Sequence, residues 1–307
     1  MDLTTFFMTL AMVGAGAQDP GGIADNPEQA ARFDYCDVAT APDSATRALV
    51  DSRLAEAAVG VSEAQLAAAL LVRAGMAIAA AQPDSETCRT VFAKGRADFD
   101  TVLSLNVRIM TRNVGGDLSP DPEIRQAQVL INDLWVADQA GRVTYSTLRT
   151  SDRTGSAFWA QRLATANAVM TDARATAALR DLLETWDWID RHRFGHSVSS
   201  HAWILAQHAD DHPDFQREVL KRMEPYLEDG GVRPRDYAYL WDRVAVNTGE
   251  LQRYGTQPMD SCNEDGTLDL KPMEEPGAVD ARRATMGLGP ASADLEQMAR
   301  ERCGIPG

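Results

Sequence analysis

From Ser44 onward the arrangement of apolar and polar positions is helical, and few runs alternate with the period of two that a half-buried strand requires. Ser44 to Val59 is Ala-rich with few breakers. Ser62-Glu-Ala-Gln65 supplies an N-cap hydroxyl with Gln three residues on, a capping box that opens a helix through about Ala81, ended by Pro83. Ser85 is placed to cap the next helix, which runs to about Met110. The stretch from Asn113 to Pro122 (NVGGDLSPDP) is the strongest internal break and marks a subdomain boundary. Asp121 then reads as an N-cap with Pro122 at the first helical position. That helix passes through Trp135 and stops near Gly141, with Val143-Thr144-Tyr145 read as a short extended piece. Helices follow at about 155–170, 172–192, 197–209, 213–228 and 234–247, two of them starting at Pro213 and Pro234. The tail from Pro258 is rich in acids and turn residues and holds one more helix, about 292–303. The expected fold class is all-α: an irregular multi-helix domain with an accessory N-terminal helical region. No internal repeat is found.

The first residues change the picture from fold to location. Phe6 to Val13 is a short apolar run, and Ala15-Gly16-Ala17 is a small-residue cleavage pattern, so residues 1–17 read as a secretory signal peptide, though with Asp2 and no Lys or Arg ahead of the run. The run is shorter than the roughly 20 apolar residues a bilayer-spanning helix needs. Residues 18–43 carry many Gly, Pro, Asp and Asn and read as a linker or loosely packed entry, followed by the accessory helices of 44–115, a helical domain over 120–290 and a C-terminal helix and tail over 291–307. The chain has four cysteines, Cys36, Cys88, Cys262 and Cys303, none in a C-x-x-C pair. Three pairings are open, and four buried thiols are an alternative; Cys36–Cys88 with Cys262–Cys303, one bridge near each end, is favoured for an exported protein. A periplasmic or secreted location is therefore expected.

Charge narrows the partners. With 30 Lys+Arg against 45 Asp+Glu the net charge is −15, which excludes the basic face that nucleic acid needs. A small molecule or a protein is the expected partner, without stable membrane insertion. The chain lacks the G-x-S-x-G elbow, the phosphate-binding G-x-x-x-x-G-K-[ST] loop, G-x-G-x-x-G and H-E-x-x-H, so no cofactor is expected.

All five histidines fall between His192 and His212, and all six tryptophans between Trp135 and Trp241. His201 and His208 lie two helical turns apart on a face shared with Ile204 and Leu205, which suits His201 equally to a hydrogen-bonded core position. Gln207, Asp210 and Asp211 crowd His208, and a carboxylate beside an imidazole fixes its tautomer for general-base work. His208-Ala-Asp-Asp-His212 has the H-x-x-x-H spacing of a metal pair, but Pro213 makes His212 an N-cap beyond the helix of His208, so no metal ligand set is assigned. The basic cluster Arg191 to His196 has the chemistry to hold a carboxylate or phosphate, but compensation of a helix C-terminus is the preferred reading. Tyr239 and Asp242 are i, i+3 and Tyr239 and Arg243 are i, i+4, so all three are expected to share a face of one helix, and Tyr254, Thr256 and Gln257 follow on a polar loop with Gly255 at its turn.

These residues carry a resemblance. Ala202 to Asp210 (AWILAQHAD), Asp211 to Gln216 (DHPDFQ), Asp236 to Val244 (DYAYLWDRV), Gln252 to Gln257 (QRYGTQ) and Asp280 to Leu288 (DARRATMGL) resemble the motifs of an uncharacterised bacterial family, a domain of unknown function. The resemblance covers about residues 125–290. It implies an all-helical domain, singles out His208, Asp210, Tyr239, Asp242, Arg243, Tyr254 and Gln257, and implies no activity. The expected site is a polar pocket formed by the 201–210 helix, the 236–245 helix and the 252–257 loop. In an interaction or ligand-binding domain, Gln207, Tyr239, Asp242, Tyr254, Thr256 and Gln257 would meet the ligand or form a buried network. In a metal-independent hydrolase, His208 would be the general base, Asp210 its orienting carboxylate and Arg243 the electrostatic clamp. A metal-dependent hydrolase is the third reading.

Overall fold

A computed structural model describes residues 22–55 and 61–303. Twelve α-helices and no strand occur among these residues. The helices are α1 Pro27–Arg32, α2 Ser44–Ala55, α3 Glu63–Ala81, α4 Ser85–Asn113, α5 Pro122–Thr147 and α6 Ser156–Thr185. They continue as α7 Arg191–Phe194, α8 His196–Gln207, α9 Pro213–Met223, α10 Pro234–Asn247, α11 Val279–Thr285 and α12 Ala291–Cys303. The fold is all-α, as the apolar spacing predicts. The signal-peptide reading and the last residues of the Ser44–Val59 expectation lie outside the described residues.

Two compact units divide the chain, one from 1–115 with 133–174, the other from 116–132 with 175–307. Helices α5 and α6 contribute to both. The first unit is organised around α3. Its capping box forms as expected: the Ser62 hydroxyl accepts from the Gln65 amide and the Gln65 side chain accepts from Ser62. Ala67, Ala68, Ala69, Leu71, Val72, Ala74 and Ile78 are all buried, so α3 is apolar on nearly every side. By length and composition α3 could cross a membrane; here it is a core helix, packed against by α1 and α2. Residues 22–43, read from composition as a loose linker, carry packed structure instead. Ile23, Ala24, Ala30, Phe33 and Tyr35 all join this core. Apolar side chains at these positions outweigh the turn-forming residues between them.

Three helices depart from their expected bounds, each for a local reason. Helix α5 neither stops near Gly141 nor gives way to an extended 143–145. Gly141 is there for a close approach, since a Cβ at that position would stand 3.0 Å from the Asn167 side chain. Thr144, although β-branched, returns its hydroxyl to the Ala140 carbonyl at 2.7 Å and accepts from the Asn106 amide at 3.0 Å. Helix α6 is one helix rather than two, because the Thr171 hydroxyl bonds back to the Asn167 carbonyl at 2.8 Å instead of capping a new start. Helix α9 ends at Met223, five residues before the expected 228. Pro225 lacks the N–H that would continue the ladder, and a 3₁₀ turn, Glu224–Tyr226, follows. At α4 the cap is Asp84, not Ser85; its carboxylate accepts from the Thr87 amide at 2.8 Å.

The second unit packs α7 to α10 around Trp188, Phe194, Leu205, Phe215 and Leu240, all buried. Pro213 and Pro234 open α9 and α10, as expected. Helix α11 is an element the acid-rich tail did not announce. Cysteines pair as favoured: Cys36–Cys88 with Cα atoms 5.8 Å apart, and Cys262–Cys303 at 5.9 Å.

The Asn106–Thr144 bond is buried, with both side chains nearly inaccessible. Thr144→Val leaves the Asn106 amide without this acceptor and is expected to cost about 1–3 kcal/mol. The double variant Asn106→Leu/Thr144→Val should lie closer to wild type than the sum of the single changes. Urea unfolding midpoints of the four proteins check this; additive losses would contradict it.

Candidate functional site

The candidate residues of the second unit stand on α8, α10 and the segment after α10. Helix α10 has Asp242 and Arg243 side by side, and successive helical residues point about 100° apart. They therefore address different parts of the unit.

Arg243 reaches the turn between α8 and α9. Its Nε and Nη2 donate to the two Asp210 carboxylate oxygens at 2.7 and 2.5 Å, a fork-to-fork pair. Asn247, one turn along α10, donates to the same carboxylate at 2.8 Å. Burial pushes the Asp210 carboxyl up, but the Arg243 and Asn247 bonds outweigh it and hold the group below the ordinary carboxylate range. Gln216, fully buried on α9, donates to the carbonyls of Ala206 and Gln207 at 3.2 and 3.0 Å, closing the α8–α9 turn from below. His208 is the half-buried C-cap of α8, its amide bonded to the Ile204 carbonyl. His212 is the N-cap of α9, as Pro213 predicts, so the two imidazoles are not on one continuous helix.

Asp242 points into the unit and is fully buried. Its carboxylate accepts the backbone N–H of Arg253 at 2.7 Å, of Tyr254 at 2.9 Å and of Thr256 at 2.9 Å. The Thr256 hydroxyl adds a fourth donor at 3.0 Å. Burial raises the Asp242 carboxyl above its ordinary value, and the amide donors oppose the rise. Gly255 takes φ of +61°, which lets the loop turn its amides inward; a Cβ there would also press on Leu270 at 3.2 Å. The opposite backbone polarity is met by Arg283 of α11, also fully buried. It donates to the carbonyls of Tyr254 at 2.8 Å, Gly255 at 3.2 Å and Gly289 at 2.6 Å, and pairs with Asp294 of α12. Gln252 completes the cage: its side chain donates to the Gln257 and Lys271 carbonyls and accepts the Gln257 amide.

The remaining candidates are less enclosed. Tyr239 is half-buried, with the Arg235 guanidinium 5.7 Å from its ring centre. Burial pushes its phenol up. Gln257 donates to the Thr256 hydroxyl at 3.1 Å. The structure thus brings Asp210 to Arg243, and Asp242 to Tyr254 and Thr256. His201 is a buried core residue, its Nδ1 2.8 Å from the Asn132 side-chain oxygen. Gln216, Asn247, Gln252 and Arg283 were missed as site residues. Arg283 stood inside a recognised motif, DARRATMGL, and its arginine pair was the available signal.

One further polar cluster lies in the first unit. Arg142 bridges Asp138 at 2.8 Å and Asp172 at 2.7 Å. Burial, opposed by Arg142 and reinforced by the neighbouring Asp138 charge, pushes the Asp172 carboxyl up to about 7.

A family of unknown function, DUF6624, matches residues 128–301, more than half of the chain, and the chain belongs to that family. No curated protein and no solved structure matches it.

Asp242→Asn replaces an acceptor-only group and is expected to lower stability by about 2–4 kcal/mol. Arg243→Gln, at a pair whose Asp210 side chain is 42% exposed, should cost roughly 1 kcal/mol or less. Equal losses in denaturant melts would contradict the division between cage and surface pair. His201 gives a pH signature. Burial lowers its pKa from 6.5 to about 4, so the unfolded chain takes up a proton first as pH falls. Its contribution is intact above pH 6.5 and lost as pH drops towards 4, with a slope of up to about 1.4 kcal/mol per pH unit. Stability measured across that window in wild type and His201→Gln should differ by this slope.

Proposed function

We propose that this member of a family of unknown function is an exported protein whose second unit is a non-enzymatic interaction or ligand-binding domain. The observation that carries the reading is that its acid and base side chains are committed to holding the fold. Asp210 is joined to Arg243 and Asn247, and Asp242 to the 253–256 backbone. A general base of the His–Asp kind needs its carboxylate to orient the imidazole, and an electrostatic clamp needs a guanidinium open to substrate. Asp210 and Arg243 instead neutralise each other. What the network delivers is a stiff loop, Gln252 to Gln257, on which half-buried Gln257 and exposed Arg253 are presented. Rigid display of this kind favours recognition, since little entropy is lost on binding.

Export is supported by the chemistry of the cysteines. Two disulfides with no free thiol suit an oxidising compartment. The apolar run and the A-x-A pattern at Ala15–Ala17 point the same way.

Expression of the full chain in a bacterium with fractionation tests the first half. The protein should be recovered outside the cytoplasm, beginning at Gln18, with no thiol reactive before reduction. A cytoplasmic protein with reactive thiols would overturn export. For the second half, purified protein and His208→Ala are compared on chromogenic ester, amide and phosphate substrates. Turnover in neither is expected; hydrolysis by the wild type that vanishes in His208→Ala would replace this reading with the hydrolase one.

A further inference from the structure

The two disulfides differ in how far solvent reaches them. Cys36 and Cys88 are both buried in the first unit. In the second unit Cys262 is exposed and Cys303 half-buried. This outer bridge joins positions 41 apart, tying the irregular 248–275 segment to the last turn of α12. Exchange with an external thiol needs a path to a sulfur, so exposed bridges are the labile ones and enclosed bridges resist.

Apart from the bridge, α12 is held by few groups. Of its 13 residues Ala291 and Ala299 are buried, with Leu295 and Met298 half-buried on the same stripe, so the apolar area that anchors the helix is small. Its polar attachments lie in its first turn. The Ala291 amide donates to the Asp280 carboxylate at 2.8 Å, and the Asp294 carboxylate accepts from Arg283. The second of these reaches the cage. Arg283 is fully buried, and among the described residues Asp294 is its one carboxylate partner. The same guanidinium donates to the carbonyls of Tyr254 and Gly255, while Asp242 holds the amides of Tyr254 and Thr256. A buried charge without its counter-ion is strongly unfavourable. Loss of Asp294 therefore favours conformations in which water reaches Arg283 and the 253–256 turn loosens.

We infer that the Cys262–Cys303 bridge is a redox-sensitive latch. A dithiol reductant opens it while Cys36–Cys88 stays closed, and its opening frees α12, withdraws Asp294 from Arg283 and loosens the Gln252–Gln257 loop. A thiolate of the reductant attacks the exposed Cys262 sulfur, and Cys303 leaves as a thiolate that takes up a proton. The reductant's second thiol then attacks its own sulfur in the mixed disulfide, and Cys262 leaves in the same way. The bridge gains two electrons and two protons, and the reductant becomes a disulfide. That the loosened loop recognises its partner less well rests on the recognition reading above; the opening of the latch does not.

The oxidised full chain is titrated with dithiothreitol, free thiols are alkylated and located by mass spectrometry, and backbone hydrogen exchange is followed at each step. Cys262 and Cys303 should be alkylated at dithiothreitol concentrations about tenfold or more below those that expose Cys36 and Cys88. In that singly reduced protein the amides of Arg253, Tyr254 and Thr256 should exchange about tenfold or more faster than in the oxidised one, with those of α3 unchanged. Asp294→Asn, with both bridges intact, should speed exchange at the same amides, and it reads the coupling without touching a cysteine. Opening of both bridges together, or of Cys36–Cys88 first, would overturn the latch. Unchanged exchange at 253–256 in the singly reduced protein or in Asp294→Asn would overturn its link to the loop. Neither readout uses a ligand or a substrate, so these outcomes are separate from success or failure of the recognition reading.

Discussion

The second unit depends on how a buried carboxylate is satisfied. An ionised group with no accessible surface is tolerated only when hydrogen bonds replace the water it has lost. Asp242 obtains them from three backbone amides and one hydroxyl, all within the four residues Arg253 to Thr256. Such convergence fixes the loop as much as it satisfies the acid, because the amides meet at one point only if the chain turns sharply at Gly255. Arg283 then takes the carbonyls that the same turn leaves facing the other way. Asp242 and Arg283 do not touch: the peptide groups between them serve both, and Arg283 has its direct counter-charge in Asp294.

This arrangement bears on how a polar signature is interpreted. Histidine, aspartate, tyrosine and arginine at helical spacing form the vocabulary of catalysis, but the same letters serve for packing irregular backbone. From 248 to 275 there is no regular secondary structure beyond isolated bridges, at Gln252–Met273 and Pro258–Leu270. Backbone groups in such a segment have no ladder to pair in, so side chains must do it. Gln252, Asp242 and Arg283 are the side chains that do. Asp210, Arg243 and Asn247 perform the corresponding task at the α8–α9 turn, nearer the surface and with correspondingly less at stake.

What the sequence made legible follows from where the determining interactions lie. Caps and prolines act within four residues of themselves, so Ser62 with Gln65, Asp121, Pro213 and Pro234 all announced their helices. Signals that depend on a partner far along the chain misled. Gly141 resembles a helix stop, yet α5 runs through it with the Asn167 side chain close by. The break expected between 170 and 172 has a local reason to be absent, the Thr171 hydroxyl bonding the Asn167 carbonyl one turn back. The composition of residues 22–43 pointed to a linker, because Gly, Pro, Asp and Asn together outnumber Ile23, Phe33 and Tyr35, which anchor the segment in the core. Among site residues, the pairing of Asp210 with Arg243 spans 33 positions, and that of Arg283 with the Tyr254 carbonyl spans 29. Helical periodicity speaks of neither distance. It placed Tyr239, Asp242 and Arg243 on one helix, but the single face it gave them is overturned: adjacent residues point about 100° apart, and Asp242 turns into the unit while Arg243 turns to Asp210.

The contrast between the two units turns on residual charge. In the second, each buried ion has counter-groups within its own unit, and the arrangement closes on itself. In the first, Asp138 and Asp172 both accept from the guanidinium of Arg142, and burial, reinforced by the Asp138 charge, holds the Asp172 proton to near neutral pH. On α4, Arg96 donates to the Ala31 carbonyl, and burial rather than a change of proton state decides how it is accommodated. A carboxyl can discharge itself by taking up a proton at accessible pH, whereas a guanidinium cannot lose one.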